Sequence, residues 1–236
     1  MLPKLKVSNL SCSRADNQLF NNLNFEVHPG QNIEIIGSNG SGKTTLLRIL
    51  LGLIDIGDGE IEWLDNENNY NNFRSVDCFY QGHSLGIKNL LSAEENLRLS
   101  SYSFGVSEEK ILSSLNRVGI KNHSLFASEM SVGQKKRISI ARWLLKDFGI
   151  YFIDEPFSAL DDQASSLIVE IIKELNAKGS SFVITGHRPS EITSDQIDSI
   201  VELEIGQSSF NRFIGIGCAL VLGALVIFTV YIKKNS

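Results

Sequence analysis

Short apolar runs in this chain alternate with stretches whose apolar residues recur at helical spacing. Residues 33–36, 150–153 and 182–184 are runs of mostly branched or aromatic residues, and each run leads into a glycine or a polar residue. Apolar runs of this length that end at turn signals predict buried strands. Strands that alternate with helices predict a parallel sheet with helical crossover connections, so the pattern indicates an α/β fold.

Two helices are predicted between these strands. The segment from Thr44 to Leu53 is apolar on all sides, which is typical of a helix buried against a sheet. Apolar residues recur at helical spacing between residues 167 and 175, and Gly179 is a typical stop signal.

A third region, residues 84–130, interrupts the alternation. Apolar residues at helical spacing over 111–118 mark one amphipathic helix, and residues 94–99 indicate another. We interpret this region as a small helical insertion between two halves of the sheet, within a domain that spans residues 1–208.

The end of the chain has a different pattern. Residues 213–232 are 20 residues without a charge. A helix of that length, rising about 1.5 Å per residue, matches the roughly 30 Å hydrocarbon core of a bilayer, so we predict one transmembrane helix here. Small residues recur within it at every fourth position, which either lets another helix approach closely or reflects their frequency in membrane helices: Gly215, Ala219 and Gly223.

Composition excludes several classes of protein. The 236 residues are 42% hydrophobic, which excludes a disordered chain, and the formal net charge of −5 argues against a nucleic-acid partner. The three cysteines, Cys12, Cys78 and Cys218, have no paired spacing, which excludes a disulfide framework and a cysteine-based zinc site.

A phosphate-binding pattern follows the first buried strand. Residues 37–44 match G-x-x-x-x-G-K-[ST], and the predicted strand before them and helix after them are the context that this motif requires. Backbone N–H groups of such a loop cradle phosphates, the lysine reaches the β- and γ-phosphates, and the hydroxyl after it ligates Mg²⁺. The sequence therefore predicts an ATP site formed by Gly37, Ser38, Asn39, Gly40, Ser41, Gly42, Lys43, Thr44 and Thr45.

Two acidic residues end the strand at 150–153. A parallel strand delivers Asp154 to the edge of the sheet where ligands gather, so that it can hold Mg²⁺ together with Thr44. Glu155 follows directly and is placed to act as general base toward the attacking water. Capping of the next helix is the other role open to such a pair.

The order of these motifs resembles that of ABC-type ATPases. Between the phosphate loop and the acidic pair stands Met130-Ser131-Val132-Gly133-Gln134, similar to the LSGGQ signature of that family, and Asp161 and His187 follow at the matching places. The resemblance covers about residues 1–205. It implies a P-loop NTPase fold of the ABC type, with a RecA-like parallel-sheet core, an antiparallel β subdomain and a helical insertion.

The resemblance also implies roles for residues outside the phosphate loop. His187 would contact the γ-phosphate and, with Glu155 and Lys43, form the catalytic set. Two copies of the chain would sandwich two ATP molecules, each copy meeting its partner's nucleotide through the signature residues and one aspartate: Ser131, Val132, Gly133, Gln134 and Asp161.

Two positions depart from the usual ABC pattern. Arg14 stands where many members place an aromatic residue that stacks on adenine, and a guanidinium plane can also stack on a base. The loop that senses the γ-phosphate usually carries glutamine; here the candidates are His83 and, two residues earlier, Gln81.

The segment around His83 resembles one branch of the family, the ATPases of cytochrome c maturation, also called haem exporter ATPases. The resemblance rests on Gly82-His83-Ser84-Leu85-Gly86-Ile87-Lys88 and on the stretch Leu91–Leu97. It implies a homodimer that powers a multi-span membrane permease and works with haem-handling membrane proteins, for haem export or release of a haem-loaded chaperone. The ATPase domain would lie on the cytoplasmic side of the inner membrane.

Two other functions remain open from the sequence. One is an ABC exporter ATPase for another cargo, such as a drug, lipid or polysaccharide, against which Arg14 and His83 argue. The other is a non-transport ABC ATPase, which usually has paired ATPase domains or long coiled-coil insertions. Neither feature is visible in this sequence.

Overall fold

Six strands form the sheet that carries the candidate site. A computed structural model of the protein describes residues 5–14, 17–64, 69–70, 78–102, 105–158, 160–187, 197–203 and 210–213. The strands of this sheet are β3 (Asn32–Gly37), β6 (Cys78–Gln81), β7 (Ile150–Ile153), β8 (Ser181–Gly186), β9 (Ser199–Leu203) and β10 (Phe210–Phe213), arranged in the order β10-β9-β3-β8-β7-β6.

All neighbours in this sheet are parallel except β10, which pairs antiparallel with β9. The register aligns the carboxyl ends of the central strands, since Gln81 lies opposite Ile153, Ile153 opposite Ile184, and Ile36 opposite Gly186. The segments that follow these strands therefore meet at one edge, which is where open α/β sheets bind ligands.

A second, antiparallel sheet packs beside the first. Its strands are β1 (Leu5–Arg14), β2 (Asn17–Val27), β4 (Asp58–Leu64) and β5 (Asn69–Tyr70), in the order β2-β1-β4-β5. The expected pairing of a parallel core with an antiparallel subdomain is thus confirmed.

The part of the chain that the structure describes also contains five α-helices. They are α1 (Lys43–Leu50), α2 (Ala93–Ser101), α3 (Glu108–Arg117), α4 (Val132–Ala141) and α5 (Asp162–Ala177). Of these, α1 and α5 contact strands of the six-stranded sheet. The predicted insertion at 84–130 contains α2 and α3, and α4 packs against both.

The central strands are buried on both faces, which explains their continuous apolar sequences. In β7, Tyr151 and Ile153 pack into the core with α2 to α5, whereas Ile150 and Phe152 pack into a second core with α1 and the antiparallel sheet. The same alternation in β8 places Phe182 in the first core and Val183 in the second.

The predicted membrane segment at 213–232 lies outside the described residues except for its first residue. Phe213 is the last residue of β10 and pairs with Ser199, so the sheet includes four residues beyond the predicted boundary at 208. Among the residues that the structure describes, none of the helices has the length and apolar character needed to cross a membrane.

Candidate functional site

The phosphate loop connects β3 to α1 and depends on glycine at two positions for steric reasons. A Cβ on Gly37 would lie 2.5 Å from Ser41 Oγ and 2.7 Å from the backbone oxygen of Leu203. Gly42 has a φ of +97°, and a Cβ there would lie 3.1 Å from the side chain of Leu19. Only glycine fits both positions, so the loop runs close beneath the two sheets.

Lys43 begins α1 and folds back over this loop. Its side chain is buried, and its ammonium group donates hydrogen bonds to the backbone oxygens of Gly37 at 2.8 Å and Ser38 at 3.1 Å. The same nitrogen lies 3.8 Å from Glu155 Oε1. The loop therefore joins a positive charge to the N-terminal end of a helix, which together favour a bound anion.

Asp154 is buried directly after β7, and two hydroxyl groups hold its carboxylate. Thr44 donates to Oδ2 at 2.8 Å, and Thr185 donates to Oδ1 at 2.6 Å. The Asp154 amide donates to the backbone oxygen of Gln81 at 2.8 Å. These contacts fix Asp154 against the first turn of α1 and so bring together the two residues that the sequence analysis assigns to Mg²⁺.

The oxygens of Thr44 and Asp154 fit Mg²⁺, which prefers hard oxygen ligands and keeps waters or substrate phosphates in its other positions. In the described ranges no group of three or more His, Cys, Asp or Glu side chains is placed to hold a metal ion. A magnesium site of this kind does not need such a group, because the nucleotide supplies ligands.

Glu155 is surrounded by basic side chains. Its Oε1 lies 3.1 Å from His187 Nε2 as well as 3.8 Å from Lys43, and its Oε2 lies 3.9 Å from His83 Nδ1. The backbone of Glu155 has a φ of +52°, a left-handed conformation that costs a non-glycine residue about 1–2 kcal/mol. Its amide donates to Thr185 Oγ1 at 2.9 Å, which helps to hold that conformation.

The two sensor candidates point in different directions. Gln81 is buried, and its Oε1 accepts a hydrogen bond from Trp143 Nε1 at 2.9 Å. The His83 side chain is 78% exposed and faces Glu155. The structure thus brings His83, not the side chain of Gln81, to the edge that holds Glu155.

The signature residues form the start of α4. Ser131 caps this helix by accepting from the Gln134 amide at 3.2 Å, while the Gln134 side chain accepts from the Ser131 amide at 2.9 Å. Val132 is 77% exposed, and a Cβ on Gly133 would meet only Ser131 Oγ, at 3.9 Å. The helix therefore presents its first turn to solvent.

Two further predicted residues lie on the surface. Asp161 caps α5, because its Oδ1 accepts from the Ala164 amide at 2.7 Å. Arg14 is the exposed last residue of β1, opposite Asn17. The following strand, β2, brings Leu19 next to the phosphate loop.

Sequence reasoning missed two residues near Glu155. Thr185 is the polar residue that follows the predicted strand 182–184, and its place two residues before His187 is the sequence signal that it lies at the site. Lys136 in α4 is the other: burial lowers the pKa of its ammonium group, and the charge of Glu155 partly opposes that shift.

The role of Thr185 is testable through stability. Thr185→Val keeps the shape of the side chain but removes the donor to Asp154 and the acceptor for the Glu155 amide, so both buried groups lose a partner. We expect the free energy of unfolding to fall by about 1–3 kcal/mol, measured by urea unfolding of the nucleotide-free protein. Thr185→Ser keeps the hydroxyl and is the control; a Thr185→Val protein that loses no more stability than Thr185→Ser would contradict the role of the hydroxyl.

Solved structures share this fold over nearly the whole chain. An ATP-binding subunit of an ABC transporter superposes with a TM-score of 0.76 at 26% identity, covering 95% of this chain and 99% of that one. An ATP-binding cassette solved as a dimer with ADP and Pi superposes with a TM-score of 0.74 at 22% identity, over 89% of this chain and 99% of that one.

Sequence comparison gives the family. Residues 20–158 match the ABC transporter family. The cytochrome c biogenesis ATP-binding export protein CcmA of Nitrosomonas europaea is 37% identical over 202 residues, which cover 84% of this chain and 94% of that protein. Its counterpart in Vibrio parahaemolyticus is 36% identical over 205 residues, covering 83% and 98%. The chain therefore belongs to the ABC transporter family, and within it to the family of the cytochrome c biogenesis ATP-binding export proteins.

Proposed function

We propose that this protein is the ATP-hydrolysing subunit of an ABC transporter that serves c-type cytochrome biogenesis. The observation that carries the proposal is the meeting of Lys43, Thr44, Asp154, Glu155 and His187 at one edge of the six-stranded sheet. These groups supply an anion cradle, a cation site and a general base within contact distance of one another.

ATP binds through the phosphate loop. Backbone N–H groups of residues 37–45 and the N-terminus of α1 cradle the phosphate oxygens, and Lys43 moves its ammonium group from the loop carbonyls to the β- and γ-phosphates. The hydroxyl of Thr44 and the carboxylate of Asp154 hold Mg²⁺, which neutralises phosphate charge. Arg14 lies at the end of β1 and stacks its guanidinium plane on adenine.

Hydrolysis requires a base beside the γ-phosphate. A water molecule attacks the γ-phosphorus and gives a proton to Glu155, the bond from that phosphorus to the bridging oxygen breaks, and ADP and inorganic phosphate result. His187 positions Glu155 through the 3.1 Å contact between His187 Nε2 and Glu155 Oε1. The imidazole of His187 also contacts the γ-phosphate. His83 senses the γ-phosphate from the loop that precedes α2.

A second copy of the chain completes each site. The exposed first turn of α4, with Ser131, Val132, Gly133 and Gln134, directs its amides at the γ-phosphate bound by the partner protomer. Asp161 bridges the two copies beside the phosphate loop. The solved dimer with ADP and Pi among the structural relatives supports this assembly.

The biological setting follows from the relatives that are named for cytochrome c biogenesis and export. The dimer powers a multi-span membrane permease, and haem-handling membrane proteins use the movement for haem export or for release of a haem-loaded chaperone. The ATPase domain faces the cytoplasm, where ATP is available, at the inner membrane. Co-purification with haem-handling membrane proteins tests this setting against export of another cargo.

The role of Glu155 is tested by Glu155→Gln, which keeps the size of the side chain but removes the base. We expect kcat for ATP hydrolysis to fall by about 100-fold or more while ATP still binds, because the cradle is unchanged. Size-exclusion chromatography with ATP then shows a trapped dimer. Turnover at the wild-type rate would remove Glu155 from the mechanism.

The role of Lys43 is tested by binding. We expect Lys43→Ala to weaken ATP affinity by about ten- to hundredfold, because the phosphates lose a charge-assisted hydrogen bond. Isothermal titration with ATP measures this effect, and Lys173→Ala, which removes an exposed lysine from α5, is the charge-matched control. Equal affinities in the two variants would contradict the cradle.

The C-terminal segment is proposed as a membrane anchor. Deleting residues 214–236 leaves β10 intact, so the ATPase domain is expected to keep its fold and its nucleotide affinity. We expect the shortened protein, expressed without a permease, to move from the membrane fraction to the supernatant after centrifugation. Retention in the membrane fraction would show that another part of the chain binds the membrane.

A further inference from the structure

The loop that carries His83 is held at both ends and in the middle. It comprises residues 82–88 between β6 and α2, and is named here the His83 loop. At its start, the buried Gln81 side chain accepts from Trp143 Nε1, while the Gln81 backbone oxygen accepts from the Asp154 amide. The loop thus leaves the sheet from a residue that contacts both the metal-site aspartate and Trp143.

Arg142 holds the middle of the His83 loop by a hydrogen bond to its backbone. Its Nη2 donates to the backbone oxygen of Leu85, and also to Ser139 Oγ at 3.0 Å. Gly86 has a φ of +63°, and a Cβ there would lie 3.1 Å from Arg142 Nη1. A side chain at position 86 would therefore press on the guanidinium group, which would have to shift by a few tenths of an ångström.

Burying the guanidinium group of Arg142 costs free energy that its contacts only partly offset. Burial lowers the pKa of its guanidinium group, and among the described residues its buried Nε has no hydrogen-bond partner. A buried donor without a partner costs free energy, so packing alone does not explain an arginine here.

Asn96 holds the far end of the His83 loop. This buried residue of α2 accepts from the Lys88 amide at 2.7 Å and donates to the Lys88 and Leu91 backbone oxygens at 3.1 and 3.2 Å. His83 lies between these fixed points, with its exposed ring facing Glu155. A displacement of the loop therefore moves His83 relative to Glu155.

Arg142 and Trp143 belong to the turn that directly continues α4. The other end of α4 is the signature residue Ser131, one helix length of about 15 Å away. A helix transmits displacement along its axis as a rigid element, so the two ends move together.

We infer that Arg142 is a positioning residue that makes α4 and the His83 loop move as one unit. Contact of Ser131 with the partner's nucleotide then sets the place of His83 beside Glu155, so that each site reaches its hydrolytic arrangement only when the dimer is closed. The inference rests on the proposed roles of Ser131, His83 and Glu155.

The first test uses Arg142→Met in the full chain, which removes the hydrogen bond to the His83 loop but keeps a long, unbranched side chain. We expect kcat for ATP hydrolysis to fall by about ten- to hundredfold, because a misplacement of about 1 Å at a catalytic group has that effect. The Kd for ATP, measured in the Glu155→Gln background, should change by about twofold or less, because the hydrogen bonds of Arg142 go to the His83 loop and Ser139 and not to the phosphate loop.

The second test combines Arg142→Met with His83→Ala. If Arg142 acts through His83, the double variant is no slower than the slower single variant. If the two substitutions lower kcat independently, so that their effects multiply, the inference is overturned. A folded Arg142→Met protein with wild-type kcat would also overturn it. So would an Arg142→Met protein whose ATP affinity falls by the same factor as its kcat.

A third test approaches the same contact from the loop and serves if Arg142→Met does not fold. Gly86→Ala and Gly105→Ala introduce a Cβ at the same φ of +63°, but only at Gly86 does it meet Arg142. We expect Gly86→Ala alone to lower kcat by about tenfold, at similar thermal stability of the two proteins. Equal kcat in the two variants would overturn the inference.

The Glu155→Gln variant separates this inference from the proposed function. If Glu155→Gln hydrolyses ATP at the wild-type rate, the proposed base is wrong whatever Arg142 does. If Glu155→Gln traps ATP while Arg142→Met hydrolyses it normally, the inference about Arg142 alone fails.

Discussion

The site depends on one buried carboxylate held by two hydroxyl groups. Asp154 ends β7, Thr44 lies in the first turn of α1, and Thr185 lies near the end of β8, so the two hydrogen bonds join three elements at the sheet edge. Burying a carboxylate costs free energy unless its oxygens accept hydrogen bonds. The folded state therefore favours the one geometry in which both hydroxyl groups reach Asp154. The same threonine accepts from the Glu155 amide, so the position of Glu155, the proposed general base, follows from that of Asp154.

The central fold was predictable because its strands are buried on both faces. Apolar runs such as Ile150–Ile153 have no solvent face, and their place before a glycine or an acidic residue marks the edge of the sheet. The edge strands β5 and β10 were not predictable. They are two and four residues long, and the last residue of β10 is also the first of the apolar run at 213–232, where hydrophobicity does not distinguish strand from helix.

The candidate site was predictable where a local motif implies its own geometry, as in the phosphate loop and in Asp154-Glu155. It was not predictable where the contact joins distant parts of the chain. Gln81 and His83 are both polar and close in sequence, and only the bond from Gln81 to Trp143, 62 residues away, separates them. The place of Thr185 near His187 was visible in the sequence, but its contact with Asp154 was not, because the two residues are 31 positions apart.

The reciprocal cap between Ser131 and Gln134 has a consequence for the energetics of repeated turnover. It satisfies the amides of these two residues within the protomer, while the amides of the first helical positions between them have no acceptor inside the helix. The entropy of ordering this surface is thus lost once, when the protein folds, and not at each association of two protomers. In the proposed dimer, successive rounds of nucleotide exchange would therefore meet a surface that is already ordered, and more of the association free energy would remain for mechanical work on the proposed membrane permease.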